Sequence, residues 1–153
     1  MTRILLALLF FAPFLAACDT GEEDPISSVT ITDANITDLD FSESPNANEW
    51  DNLYLVFRVS NVNVRATRAE AEDVRDSDLP TEFDFGSDIT LTDLSQSLTI
   101  QAKSRDGDSL NDDTLIAETQ AVTIQSLADA QPGSRTLTSA DGSFRIRLNF
   151  EYD

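Results

Sequence analysis

Residues Gly142 to Tyr152 read GSFRIRLNFEY, and their alternation decides the fold. Phe144, Ile146, Leu148 and Phe150 fall on one side of an extended chain, and Arg145, Arg147 and Asn149 on the other. A period of two marks a strand with one buried and one wet face. Working back along the chain, the same period recurs. DNLYLVFRVSNV, from Asp51 to Val62, puts Leu53, Leu55, Phe57 and Val59 on one face, and SVTIT points Val29 and Ile31 inward against threonines. TEFDFGSDITL, SLTIQAK and TQAVTIQ continue it between polar turns. These residues predict an all-β chain, an antiparallel two-layer β-sandwich of about eight strands. The exception is RATRAEAEDVRDSD, residues 65–78, where Arg68 and Glu72 stand at helical spacing; it reads as a surface loop or one short helix.

The 153 residues, 41% of them hydrophobic, are enough for one domain of ordinary core size. The start of the chain is separate from that domain. Arg3 precedes the apolar run ILLALLFFAPFLA, which is too short to span a bilayer and has the form of a secretory signal. The run ends in Leu15, Ala16, Ala17 and Cys18, which resemble a bacterial lipobox, where the cysteine receives a diacylglycerol and becomes the first mature residue. Cys18 is the only cysteine, so an internal disulfide is excluded. The expected division is a signal peptide at 1–17, the lipidated cysteine with an acidic linker at 18–27, and the sandwich domain at 28–153. More than one acyl chain anchors a protein stably, so the expected product is tethered to a membrane in the cell envelope and does not span it. Asp19 after the cysteine resembles an inner-membrane retention signal; inner and outer membrane stay open.

Removing residues 1–17 leaves nine basic residues against 28 acidic ones, a net charge of −19, with no histidine. Nucleic acid is excluded as a partner on that balance. Anionic lipid is repelled too, unless a divalent cation bridges the surfaces. A second explanation fits the same composition: one lysine against nineteen aspartates is what a salt-adapted surface looks like. Placement of the carboxylates, not their number, separates the two.

SRDGDSLNDDTLIAE, Ser104 to Glu118, joins two strand patterns and so lies at one end of the sandwich. Asp106, Gly107 and Asp108, followed by Ile116 and Ala117, resemble the Asp-x-Asp and Ile-Gly landmarks of C2 domains, the calcium- and phospholipid-binding β-sandwiches. The third aspartate of that pattern falls at Thr114, just after Asp112 and Asp113, and alanine replaces the glycine. VTITDANITDLDF is similar to the opening strand of that family with Asp40 in the ligand position, and WDNLYLVF to its Asp-Pro-Tyr-Val segment, with Asp51 or Asn52 as its aspartate. LPTEFDF and the closing GSFRIRLNF also match in order, and the resemblance covers Val29 to Tyr152.

The resemblance implies calcium bound by Asp40 and Asp51 from one loop and by Asp106, Asp108 and Asp113 from another. Phe41 and Leu110 would be loop-tip contacts to a lipid surface or a protein partner. Calcium takes six to eight oxygens, which short carboxylates from separate loops can supply. An EF-hand is excluded, since counting from Asp106 places Asn111 at the glycine position and Ala117 at the glutamate position. Zinc lacks its usual ligands. Serine catalysis lacks a histidine base, and neither a phosphate loop nor a dinucleotide motif is present, so a non-enzymatic role is expected. The alternative to a calcium-dependent module is a metal-independent adaptor or structural lipoprotein with an acidic, salt-adapted surface.

Overall fold

The computed structural model describes residues 25–46, 48–68, 71–105 and 113–153. In chain order the elements are β1 (Val29–Asp38), β2 (Glu49–Val59), β3 (Val62–Ala66), β4 (Glu72–Arg75), β5 (Thr81–Glu82), β6 (Ile89–Leu91), β7 (Ser97–Ser104), β8 (Thr114–Glu118), β9 (Val122–Thr123), α1 (Ile124–Ala130), β10 (Ser134–Thr138) and β11 (Arg145–Tyr152). They form two antiparallel sheets. One runs β10-β11-β1 with β5 and β6 sharing the far edge of β1; the other runs β3-β2-β7-β8, with β4 on β2 and β9 on β7. The all-β sandwich expected from the alternation is what forms, with more and shorter strands than eight.

β11 follows its sequence pattern: Ile146, Leu148 and Phe150 are buried and Arg145 and Arg147 are exposed. Its partner β1 changes phase. Val29 and Ile31 are buried at odd positions, Ala34 and Ile36 at even ones, because irregularities in register fall between Ile31 and Asp33 and again between Ile36 and Asp38. An extra residue in one strand turns the following side chains over, so the bulge keeps the apolar face on the core. β2 is buried on both faces. Leu53, Leu55 and Phe57 join the core, where Phe57 meets Phe85 edge to face at 5.5 Å. Tyr54 and Val56, also buried, face the other way.

Two elements correct the sequence reading. Residues 72–75 are a strand, not a surface loop or helix: β4 pairs with the first half of β2, and Val74, 1% exposed, enters the core. The lone valine between charged residues is an edge-strand pattern, with charge on the open side. TQAVTIQ is strand only at Val122–Thr123; Ile124 starts α1, whose Ile124, Leu127 and Ala128 pack at i, i+3 and i+4 spacing. The helix ends at Gln131 in the left-handed conformation, followed by Pro132 and Gly133.

The outer face of β2 is covered by polar groups. Tyr54 donates its hydroxyl to Asp113 Oδ2 at 2.7 Å, and the same oxygen lies 2.9 Å from Arg68 Nη1. The Asp113 side chain is fully buried and that of Arg68 is 14% exposed, with the guanidinium also 6.0 Å from the Tyr54 ring centre. Removing one partner of such a pair strands the other charge at a cost of about 3–5 kcal/mol. Asp113→Ala should therefore lower the unfolding free energy read from a urea titration by that amount, equally with calcium or chelator present. A loss below about 1 kcal/mol would show that the pair carries no weight.

Candidate functional site

One end of the sandwich gathers residues 39–46, Arg105, Asp113 and 139–144. Short bonds hold this end together. Trp50 Nε1 donates to the backbone carbonyl of Asp40 at 2.8 Å, Ser104 Oγ to that of Asp51 at 3.0 Å, and the Arg105 amide to that of Asn52 at 3.2 Å. An open cleft of about 530 Å³ lies between them, lined by Asp40, Glu43, Trp50, Ser104, Ile116 and Asp141 among others.

Asp40 and Asp141 face this cleft as strongly ionised groups. The backbone N–H of Ser42, donated at 2.8 Å, is the first cause that lowers the Asp40 pKa, and the Ser42 side chain the second; the charge of Asp141 works in the opposite direction. Asp141 is lowered to about 2 by the hydroxyls of Ser139 and Ser143, donated at 2.6 and 2.7 Å, and by the Ser143 amide at 3.0 Å. Gly142, at φ +80°, makes this tight turn possible.

Beside the cleft, Glu49, Asp51 and Asp73 each place one carboxylate oxygen within 4.8 Å of the others. β2 supplies the first two and β4 the third. Each is also hydrogen-bonded within the protein: Asp51 accepts from the Asn46 amide, Asp73 from the Asn52 backbone N–H at 2.9 Å, and Glu49 from Arg75 Nε at 2.9 Å. The bond to Glu49 is the first cause that raises the Arg75 pKa. Two oxygens bound to one calcium at about 2.4 Å lie at most about 4.8 Å apart, so the spacing of this trio suits one hard cation. Arg75 competes with such a cation for Glu49.

The residues expected from the sequence separate in space. Asp51 belongs to the trio and Asp40 to the cleft with Asp141. Asp113 is a correction: its carboxylate is committed to Arg68 and Tyr54, and a buried ion pair of that kind does not turn outward to a metal. Phe41 is a second correction, because it is 8% exposed and belongs to the core cluster, not to a loop tip. Asp106, Asp108, Leu110 and Cys18 lie outside the described residues, as do residues 1–17, expected from the sequence to be a signal peptide. Glu49, Asp73 and Asp141 were not anticipated. Asp73 was hidden in the segment read as an insertion, while the Asp-Gly step at 141–142 is a turn signal whose position beside Asp40 only the β10–β11 connection reveals.

No family model matches the chain, and no curated protein matches it by sequence. It is similar to a solved structure described as "Structure of a C2 domain", with a TM-score of 0.49 and 8% identity, over 82% of this chain and 97% of that one.

The lowered pKa of Asp141 sets a pH dependence. A carboxyl whose folded pKa lies below its ordinary 3.8 adds stability above that value and loses it as pH falls toward about 2. The difference in melting temperature between the protein and Asp141→Asn should be constant above about pH 5 and close between about pH 4 and pH 2. A gap independent of pH would mean that the serine bonds do not hold the ionised form.

Proposed function

We propose that this protein is a lipid-anchored binding module of the bacterial cell envelope, attached through Cys18, whose C2-like sandwich binds calcium at its acidic end and through it a lipid or protein partner. The observation that carries the reading is the trio Glu49, Asp51 and Asp73, with its oxygens at cation-sharing distance beside the base of the 105–113 loop. The donor set is chemically suited: carboxylate oxygens alone, at exposed or half-buried positions where water can complete a coordination number of six to eight. On the C2 resemblance Asp106 and Asp108 would add further oxygens from the neighbouring loop. The role is binding, not catalysis. Attachment is assigned to Cys18 on the lipobox resemblance of Leu15, Ala16, Ala17 and Cys18; among the described residues no helix is long and apolar enough to cross a membrane.

A metal-independent adaptor has one observation in its favour. Arg75 already neutralises Glu49, and Asn46 and the Asn52 amide already serve Asp51 and Asp73, so the trio has partners without an ion.

Thermal unfolding of the chain from Asp19 onward, in chelator and then in millimolar calcium with magnesium as control, separates the two readings. A ligand at ten times its dissociation constant stabilises a protein by about 1.4 kcal/mol, roughly 5 °C here. The calcium-binding reading predicts a calcium-selective rise that Asp73→Asn abolishes and Glu151→Gln, an exposed acid on β11, leaves intact. An equal rise with magnesium, or one indifferent to Asp73→Asn, favours the adaptor.

A further inference from the structure

The chain enters the sandwich at the end opposite the acidic loops. Ser27 and Ser28 donate their backbone N–H groups to the Asp153 carbonyl, and Val29 pairs with Tyr152 on one side and Leu91 on the other. β1 then runs ten residues to Asp38, immediately before Leu39 and Asp40. At about 3.3 Å per residue the two ends are separated by about 30 Å. In the second sheet β2 runs the other way between the same two ends: it starts at Glu49 at the acidic end and finishes at Val59, which lies near Leu91 and Ile124 at the entry end.

Only nine residues, ten Cα steps, separate Cys18 from Ser28. Whatever path they take, they span at most about 36 Å, and a flexible linker of that length has a root-mean-square extension of about 17 Å. Turning the acidic end onto the bilayer that holds the anchor would need the linker almost fully drawn out along the side of the domain. Asp19, Glu22, Glu23 and Asp24 would then lie against a domain that, from residue 25 onward, has nine basic and 24 acidic residues and a net charge of −15, and the acidic end would face any anionic lipid at close range. Chain entropy and like-charge repulsion both oppose that arrangement.

We infer that the acidic end is held away from the membrane that carries the anchor and does not engage the lipid of the anchoring bilayer. The inference rests on the reading of Cys18 as the lipid attachment and deepens it by fixing which end of the domain is free.

The test uses the lipidated full-length product in vesicles whose headgroups carry an energy-transfer acceptor. Lipidation consumes the thiol of Cys18, the only cysteine, so a dye on Glu43→Cys reports the acidic end and one on Thr92→Cys the entry end; both positions are exposed. The expected result is stronger transfer from position 92 than from position 43, in that order with calcium or chelator. Equal or reversed transfer overturns the inference. Vesicle flotation keeps the two readings apart. If the full-length product fails to float, or a chain starting at Asp19 floats as well, the anchor reading fails and the inference with it. If anchoring holds and the order is reversed, the inference alone fails.

Discussion

β2 is the constraint on which the rest of the sandwich depends. From Leu53 to Phe57 it has no open face: Leu53, Leu55 and Phe57 fill the core, while Tyr54 and Val56 lie buried beyond it. Both of its edges are used, by β7 over seven residue pairs from Leu53 to Val59 and by β3 and β4 in succession on the other side. Such a strand cannot slip by one residue, because a slip would exchange its two faces. Its register fixes where Trp50 and Asp51 emerge at one end and where Ser60 turns at the other. The Arg68–Asp113 pair sits over Tyr54 and closes the second face.

A net charge of −18 is distributed around that frame with a consistent physical logic. Carboxylates with a specific task are held by donors. Asp113 has Arg68 and Tyr54, Asp141 has Ser139 and Ser143, and Asp40 has the Ser42 amide. The trio on β2 and β4 also has a donor for each member, but its three acids lie at mutual oxygen distances that repel unless a cation, from Arg75 or from solution, stands nearby. That arrangement is the ground for proposing calcium at the acidic end, and it is a matter of placement that composition alone does not supply.

Legibility in the sequence followed solvent exposure. β11 could be read from its residues because one face is wet and the other dry, so burial and alternation coincide. β4 could not, because three of its four residues are charged and its single apolar contribution is Val74; Asp73 was lost along with it. α1 was obscured since Val122 and Ile124 extend the alternation of a strand into the first residue of a helix with only seven residues. The aspartates mark the limit of the method. Asp51 and Asp113 look alike in the chain, yet one joins a partly exposed carboxylate trio and the other is sealed beneath an arginine, a distinction made by the outer face of β2.

The most direct test of calcium at the acidic end is an amide NMR titration of the chain from Asp19 onward at constant ionic strength. The account predicts saturable shifts concentrated at Glu49–Asn52, at Asp73, and in the neighbouring loops, with the strand residues around Ser60 and Thr92 unmoved. Shifts spread evenly over carboxylates at both ends, tracking calcium without saturation, would contradict it and leave the acidic end a solvated surface.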